Sequence, residues 1–504
     1  MVIKLVPQRF PKALPVLGAV VLLIFFLTAT RLRHGSFLPS SVSTDQNGKG
    51  GSVQNKNRPM QRPKLAPGTC LPEIEFLRRV ELGLSDKIAY SRRCVKPILD
   101  PKYDRDTVAN ITHPLITHRT TVDLNSCSHS DFIPCDHLPL SVPAPYPHKT
   151  YDHITFGVAS SFERLSDSLP AFAHWLAGTG ALLVAVVSDA DSPDPKFNLT
   201  ALEVKYRAQG VTASFIPPIL KKESPGDPDI TVERHHFMLI RNLLDVATEK
   251  TKWLGILDDD TFFPSMYPLD QELRKHDHKK SLWLGALSDS FSSVKNWGYM
   301  AYGGAGVFLS KPLAQEMNPH LKECMDEATI DTGDGFLRDC IYTRTHAKLT
   351  QVPGLHQHDT RGDMSGFFES GVRPLSVHHW RSWYEAPMPA MASVTGICGD
   401  CFLGRHRFAE DTLLANGYSI TQYPEGLHKI DLDRMEGTWR NPGRDFDFSY
   451  GPLRDRLSPE QKKSYRLLDA EVTKSGAFRQ IYVYKGNAEE GESDEVVELL
   501  WEKE

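Results

Sequence analysis

The sequence has 504 residues, which at about 150 residues per domain is enough for two to four folded units. Lys and Arg number 58 and Asp and Glu number 63, so the net charge of −5 lacks the basic excess of a dedicated nucleic-acid binder. The mean hydropathy of −0.34 excludes a polytopic membrane protein but leaves room for a single span. The eight cysteines are too few for a small disulfide-rich scaffold.

One uncharged segment lies between basic residues at the N-terminus. Residues 13–30 read ALPVLGAVVLLIFFLTAT and would extend about 27 Å as a helix, close to the thickness of a bilayer core. Arg31 and Leu32 follow where a cleaved signal peptide needs small residues, so the segment is predicted to remain as an anchor. The basic residues before it favour a cytosolic N-terminus, which places the rest of the chain in the lumen of the secretory pathway.

Composition divides the remaining chain into segments. Residues 31–68 are rich in Ser, Gly, Asn, Pro and basic residues and lack apolar periodicity, which is typical of a flexible stem. Residues 69–150 contain four cysteines without the spacing of a zinc site, so an oxidising lumen favours disulfides. The acid-rich C-terminus is predicted to be solvated. The predicted segments are a cytosolic tail (1–12), a transmembrane anchor (13–30), the stem (31–68), a Cys-containing extension (69–150), a catalytic domain (151–385), a β-rich accessory region (386–487) and an acidic tail (488–504).

Strands and helices alternate from residue 152 onward. Continuous apolar runs occupy Ile154–Ala159, Ala181–Val187 and Trp253–Leu257, with helical patterns after the first run and before the third. Buried strands that alternate with helices predict an α/β domain with a Rossmann-like, mostly parallel sheet covered by helices on both faces. Ligands bind at the carboxyl ends of the strands in such sheets, so the residues that follow these runs are the first candidates for chemistry.

Three consecutive aspartates follow the third run. Alternation with a period of two places Asp258 and Asp260 on one side of the chain and Asp259 on the other. Two hard oxygen donors so arranged suit Mg²⁺ or Mn²⁺ carrying a diphosphate. A solvated turn or a helix N-cap is the alternative interpretation. The metal interpretation gains weight because like charges crowded at a buried strand end need a compensating cation.

Further motifs follow the aspartates. Gly303 and Gly304 would let the backbone turn sharply or approach a ligand closely. His235 and His236 lie on a helical pattern and are predicted to be structural, and the HxH sequence of residues 356–358 defines no metal site by itself. Two cysteine pairs are predicted to form disulfides, Cys324 with Cys340 and Cys398 with Cys401.

Four of the motifs resemble, in order and spacing, those of the Fringe-like glycosyltransferases of family 31, which include the core 1 β1,3-galactosyltransferases. The fungal members are the most similar. The resemblance implies a GT-A fold, a type II Golgi membrane protein, Mn²⁺, a UDP-sugar donor, a glycan or glycoprotein acceptor, and inversion that usually gives a β1,3 linkage. A homodimer remains open. The motifs are WLGILDDDTFF (253–263), YGGAGVFLS (302–310), TGDGFLRDC (332–340) and SVHHW (376–380).

The resemblance also implies roles for individual residues. Asp334 would be the general base, with Asp331 and Asp339 as nearby alternatives. Asp260 would be the direct metal ligand, with one of the adjacent histidines as the second protein ligand, and Asp259 would contact the ribose together with Asp258. The implied donor-binding residues are Ser160, Ser161, Arg164, Asp258, Asp259, Gly303 and Gly304. The implied metal set is Asp258, Asp260, His378 and His379.

The chemistry of inversion agrees with this set of residues. A single displacement needs one carboxylate to accept the proton of the acceptor hydroxyl and one cation to stabilise the departing diphosphate. Two other classes of function stay open. One is a catalytically silent luminal lectin or chaperone of the same fold. The other is a metal-dependent phosphoryl-transfer or hydrolytic enzyme, which would need more carboxylates at other strand ends.

Overall fold

The computed structural model describes residues 70–126, 135–192, 194, 196–222, 224 and 229–503. The predicted cytosolic tail, anchor and stem, residues 1–68, lie outside these residues. Over the described ranges, no helix is both long and apolar enough to cross a bilayer. The strands of the described chain form two sheets, one of seven strands and one of ten.

The elements are numbered along the described chain. The strands are β1 (Lys87–Leu99), β2 (Ala109–Ile111), β3 (Thr120–Asp123), β4 (Asp136–Val142), β5 (Ile154–Ser160), β6 (Leu182–Val187), β7 (Thr212–Ile216), β8 (Trp253–Leu257), β9 (Trp283–Gly285), β10 (Val307–Ser310), β11 (Leu349–Gln351), β12 (Arg405–Phe408), β13 (Thr412–Ala415), β14 (Ser419–Gln422), β15 (Lys463–Val472), β16 (Phe478–Tyr484) and β17 (Asp494–Trp501). The helices are α1 (Pro72–Leu77), α2 (Phe162–Asp167), α3 (Leu169–Leu176), α4 (Leu199–Ala208), α5 (Val232–Val246), α6 (Met266–Leu273), α7 (Phe291–Trp297), α8 (Lys311–Met317), α9 (Leu321–Glu327), α10 (Gly333–Arg344), α11 (Ser365–Phe368), α12 (Met388–Ala392), α13 (Thr395–Cys398) and α14 (Asp447–Tyr450).

The seven-stranded sheet contains the strands predicted for the α/β domain. Its order is β11-β9-β10-β8-β5-β6-β7. The strands β5, β6 and β8 run parallel to one another, as predicted, and β7 runs parallel to β6, whereas β10 runs antiparallel to both β8 and β9. The sheet is therefore mixed on one side of β8. The edge strand β7 is not predicted from the sequence, because only one of its five residues is fully buried.

Alternate residues of the central strands face two separate hydrophobic cores. On β5, Ile154, Phe156 and Val158 belong to a core that includes side chains of α3 and α4. On β8, Leu254 and Ile256 belong to a second core that includes side chains of α5 and α10. Helices therefore cover both faces of the sheet, as the continuous apolar runs predict.

The ten-stranded sheet is built from both ends of the described chain. Its order is β2-β12-β13-β14-β15-β16-β17-β1-β3, with β4 paired to the far end of β1. The predicted extension, 69–150, provides β1 to β4, and the predicted accessory region, 386–487, provides β12 to β16. These two regions form one sheet rather than two separate units. Strand partners several hundred residues apart leave no local pattern in the sequence.

The prediction of a solvated acidic tail at 488–504 is wrong. Residues 494–501 form β17, which lies between β16 and β1. The carboxylate of Glu498 is buried, and it accepts a hydrogen bond from Arg479 Nε at 2.7 Å and lies 3.2 Å from Arg92 Nε. The prediction was based on the net charge of the segment, which does not show whether each acid has a partner. A buried carboxylate that is paired with a cation can occupy a central strand.

Replacing Trp501 with Ala is expected to lower the free energy of unfolding by about 3–5 kcal/mol. The indole is fully buried in β17, and its Nε1 donates a hydrogen bond of 2.7 Å to Gln480 Oε1. Urea unfolding measures the change. Val472→Ala is the control, because Val472 is 68% exposed and should shift stability by no more than about 0.5 kcal/mol. Equal stabilities of the Trp501 variant and the parent chain would contradict the placement of β17.

Candidate active site

A cavity of about 510 Å³ opens at the carboxyl ends of β5, β6 and β8. The first turns of α5 and α10 and the segment around residue 380 complete its walls. Its volume lies within the range of about 300–1,000 Å³ that is usual for small-molecule sites. The predicted site residues that line it are Ser160, Ser161, Arg164, Asp258, Asp259, Asp260, Asp334, His378 and His379.

The three aspartates diverge as the alternation predicts. His378 Nε2 lies 3.2 Å from an oxygen of Asp258 and 2.9 Å from an oxygen of Asp260, so these two carboxylates share one imidazole. Burial alone would raise the pKa of Asp260, but the hydrogen bond and positive charge of His378 outweigh it and lower that pKa. The pair therefore carries concentrated negative charge on one side of the chain.

Asp259 points in the other direction and is fully engaged with protein groups. Its carboxylate is buried and accepts hydrogen bonds from Arg164 Nε and Nη2 and from the hydroxyl of Ser160. The predicted contact between Asp259 and a ribose is therefore not supported, because a buried carboxylate needs these compensating donors. The Arg164 side chain remains 55% exposed toward the cavity. Asp259 thus orients the positively charged guanidinium of Arg164 at the cavity wall.

The two adjacent histidines have different surroundings. His378 Nδ1 donates to the backbone oxygen of Gln357 at 3.2 Å, which leaves Nε2 directed at the two aspartates. Burial lowers the pKa of His378, but the hydrogen bonds with Asp258 and Asp260 outweigh it and raise that pKa to about 10. His379 stacks on Trp383 with ring centroids 4.0 Å apart, and burial lowers its pKa.

Asp260, His378 and His379 can each present one ligand atom, and these atoms lie within 4.8 Å of one another. One carboxylate oxygen and two imidazole nitrogens suit Mn²⁺ and neighbouring divalent ions. A backbone carbonyl that holds the other nitrogen of a ligand histidine is a common arrangement in metal sites, and His378 has it. The donor set therefore fits a divalent cation, and the structure brings both candidate histidines to it.

Asp334 also lines the cavity, at the start of α10. Thr332 caps this helix by accepting a hydrogen bond from the backbone nitrogen of Gly335 at 3.1 Å. Burial raises the pKa of Asp334 to about 6, although the nearby His236 opposes that rise. The predicted disulfide between Cys324 and Cys340 is present and joins α9 to α10. A carboxylate with a raised pKa at a cavity wall is suited to accept a proton.

The structure separates Asp334 from the two alternative bases. Asp331 is 65% exposed and lies 3.5 Å from Arg234 Nη2. Asp339 accepts hydrogen bonds of 2.7 Å from both the backbone nitrogen and the hydroxyl of Thr329. Neither of them lines the cavity. Of the three acids in this motif, Asp334 is the one placed for chemistry there.

Gly303 and Gly304 do not line the cavity, contrary to the expectation that their backbone approaches a ligand. They pack behind the side chains of Asp334 and His378. A Cβ on Gly304 would lie 2.0 Å from the ring of His378, and a Cβ on Gly303 would lie 2.6 Å from a carboxylate oxygen of Asp334. Both positions therefore need glycine because the ring and the carboxylate occupy the space that a side chain would take.

Gly304→Ala is expected to lower activity by about 10²-fold, because an added methyl must displace the His378 ring by an ångström or more. Divalent-cation affinity, measured by calorimetry, should fall with it. Gly396→Ala is the matched control, since nothing lies within 4 Å of the Cβ that it adds. Unchanged cation binding in the Gly304 variant would show that His378 is not a ligand.

Several residues of the cavity wall are missed by the sequence predictions, among them Ser188, Glu233, His236, Ser382 and Trp383. His236, predicted to be structural, lines the cavity, and its Nε2 lies 3.4 Å from an oxygen of Asp258. A Cβ on Gly333 would lie 2.6 Å from its Nδ1, so the start of α10 packs directly on this ring. A signal was present, because Glu233 and His236 are three residues apart in the first turns of α5 and share the face that reaches the cavity.

Comparisons with known proteins give local matches. Residues 294–397 match a family model described as "Protein of unknown function, DUF604". Chondroitin sulfate synthase 2 of Mus musculus is 30% identical over 126 residues, 24% of this chain and 16% of that protein. Chondroitin sulfate synthase 3 of Homo sapiens is 25% identical over 134 residues, 25% of this chain and 15% of that protein. The matched parts thus span less than a fifth of these relatives.

Solved structures with similar folds include two sugar transferases. The galactosyltransferase LgtC with donor and acceptor sugar analogues aligns with a TM-score of 0.28 and 12% identity over 47% of this chain and 81% of its own. Mouse xyloside xylosyltransferase 1 aligns with a TM-score of 0.28 and 11% identity, over 44% of this chain and 89% of its own. Both TM-scores lie below 0.5, so neither alignment bears on function.

Proposed function

We propose that this chain is a metal-dependent glycosyltransferase of the GT-A type. It would transfer a hexose or N-acetylhexosamine from a UDP-sugar to a hydroxyl of a glycan or glycoprotein, with inversion and a β1,3 linkage. The observation that carries the proposal is one cavity that holds an acid–imidazole metal set, an oriented arginine and a carboxylate with a raised pKa. The names of the local sequence relatives, which describe synthesis of chondroitin sulfate, support it.

The donor half of the reaction is assigned to the wall formed by β5 and β8. Arg164 is held by Asp259 and extends a planar cation into the cavity, where it would bind a diphosphate oxygen. Asp260, His378 and His379 would hold Mn²⁺, which supplies charge stabilisation to the leaving diphosphate.

The acceptor half is assigned to Asp334. Its carboxylate would accept the proton of the acceptor hydroxyl as that oxygen attacks the anomeric carbon and the bond to the diphosphate breaks. His236 lies in the cavity wall with Nε2 3.4 Å from an oxygen of Asp258; burial lowers its pKa, but Asp258 and Asp334 outweigh burial and raise that pKa. It would separate the two carboxylates electrostatically.

The location of the protein follows from the same proposal. A luminal, Golgi-type enzyme with a single N-terminal anchor agrees with the disulfides Cys94–Cys135, Cys324–Cys340 and Cys398–Cys401 of the described residues. Asn110 and Asn198 both begin glycosylation triplets and are exposed.

The hydrolytic alternative loses support, because the carboxylate after β6, Asp189, accepts the backbone N–H of Phe162 instead of lining the cavity.

Calorimetry of the purified full-length chain against a panel of UDP-sugars, with and without Mn²⁺, tests the proposal. We expect one UDP-sugar to bind only in the presence of the cation, and that donor to give a glycoside whose anomeric configuration is inverted. Release of free sugar with no transfer to any glycan acceptor would favour a hydrolase. No binding of any UDP-sugar would favour the silent lectin or chaperone.

The transfer rate is expected to fall at acid pH. Asp334 must be deprotonated to act as a base, and its pKa is raised to about 6 by burial. A bound divalent cation adds positive charge and lowers that pKa, so the acid limb of the kcat/KM profile should have a midpoint no higher than about 6. A profile with its acid midpoint above pH 7 would assign the proton transfer to another group.

A further inference from the structure

A second cluster of metal-ligating side chains lies behind the cavity. The segment 356–359 contacts both this cluster and the proposed metal-binding histidines. The Gln357 backbone oxygen accepts from His378 Nδ1, and an Asp359 oxygen lies 3.4 Å from His379 Nε2. The His356 side chain and the backbone nitrogen of His358 contact Asp289 instead.

The geometry of this cluster brings one carboxylate and two imidazoles together. His356 Nδ1 lies 3.0 Å from one oxygen of Asp289, and the backbone nitrogen of His358 donates to the other oxygen at 2.8 Å. The two imidazole rings stack with centroids 5.3 Å apart. Each of the three residues can present one ligand atom, and these atoms lie within 4.8 Å of one another.

Two nitrogens in the cluster have no partner among the described residues. The Nε2 atoms of His356 and His358 are both buried and accept or donate no hydrogen bond there. His358 is fully buried and Asp289 is 5% exposed. Phe367 packs edge-on against both rings, at 4.9 and 4.3 Å. A buried polar atom without a partner is unfavourable because it has lost its hydrogen bonds to water, and a ligand such as a cation would compensate for that loss.

We propose that Asp289, His356 and His358 bind a second metal ion, Zn²⁺, at a structural site. Two imidazoles and one carboxylate are a common zinc ligand set. The set around Asp260 has the same three donors, but it faces the cavity beside Asp258, where a bound diphosphate would add the oxygen ligands that suit Mn²⁺. The site shares no residue with the set around Asp260, although the segment 356–359 contacts both. Its role is to position that segment, whose backbone and side chains hold His378 and His379.

Metal analysis of the full-length chain, purified without a polyhistidine tag, tests the proposal. After dialysis we expect about one Zn²⁺ per chain. The zinc should persist in Asp260→Ala, which removes a ligand of the catalytic set, and should be lost in His358→Gln and in Asp289→Asn. His346→Asn is the control, because His346 is an exposed histidine outside both clusters. The assay contains no UDP-sugar, so its result does not depend on the proposed transferase activity.

A second measurement uses the unmodified chain, so it does not depend on the folding of any variant. Removal of zinc by a chelator should lower the midpoint of thermal unfolding by a few degrees, and one equivalent of Zn²⁺, but not of Mn²⁺, should restore it. Co²⁺ in its place should give a visible absorption spectrum. A chain that purifies without zinc and shows no thermal response to it would overturn the proposal, as would zinc that disappears in Asp260→Ala.

Discussion

Replacing Asp260 with Asn is expected to lower kcat/KM by about 10³-fold or more, because the proposed cation contributes several kcal/mol of charge stabilisation. Asp260 is buried and shares His378 with Asp258, and it belongs to the set whose ligand atoms lie within 4.8 Å of one another. The substitution keeps the shape of the side chain and removes its charge. Donor binding should be lost with activity, since the diphosphate would be held through the cation.

Calorimetry with Mn²⁺ and UDP, followed by a transfer assay, measures both consequences. Asp331→Asn is the matched control: it removes one carboxylate from the same region, but Asp331 is 65% exposed and lies outside the cavity wall. We expect the control to bind and transfer as the parent chain does. Cation-dependent UDP binding of normal affinity in the Asp260 variant would refute the assignment of the metal site.

Asp334→Asn is expected to reduce kcat by about 10²–10⁴-fold while leaving cation and UDP affinity within about twofold of the parent value. The amide occupies the same position at the start of α10 but cannot accept the proton. Asp334 lines the cavity without being one of the residues grouped around Asp260, so the donor side should remain intact. In the Asp334 variant, activity is thus expected to fall while cation and UDP binding remain. In the Asp260 variant, activity and binding are expected to fall together.

The stability of this variant provides an independent check. A folded-state pKa raised above the unfolded value means that the Asp334 carboxylate opposes folding at pH values above about 6. The neutral amide removes that cost, so the melting temperature at pH 7.5 should equal or exceed that of the parent chain. Asp339→Asn is the control, and it should lose stability instead, because hydrogen bonds from Thr329 hold that carboxylate and lower its pKa. A folded Asp334 variant with full activity would eliminate this residue as the base.

Much of the α/β sheet can be predicted from the sequence. The strands β5, β6 and β8 are continuous apolar runs bounded by polar residues, and such runs report the burial of both faces directly. The divergence of Asp258 and Asp260 from Asp259 is equally local, because it follows from the period of an extended chain. The proximity of the two adjacent histidines to the aspartates was less visible in the sequence: the resemblance implies one of them as a metal ligand, and the ligand atoms of both lie within 4.8 Å of an Asp260 oxygen.

Other features depended on contacts between distant residues. Asp259 binds Arg164, 95 residues earlier in the chain, so its role could not be read from the motif alone. Three aspartates with chemically identical side chains lie within nine residues: Asp331, Asp334 and Asp339. Only the way α10 packs against the cavity decides which of the three carboxylates lines it. His236 was assigned to the core because periodicity reports burial, and a buried histidine at a cavity wall has the same periodicity as one in the core.

The sequence by itself therefore determined that the central sheet belongs to an α/β domain and that the candidate site lies at the carboxyl ends of its strands. Both follow from burial and strand alternation, which are properties of consecutive residues. Only the tertiary structure decided which acid faces the cavity, which carboxylate supports Arg164, and that the acidic residues 494–501 form a central strand. The first of these outcomes depends on where α10 packs against the cavity, and the other two depend on pairing a charge with a partner far along the chain, as Glu498 pairs with Arg92. Such pairing is created by folding and is not visible in local composition.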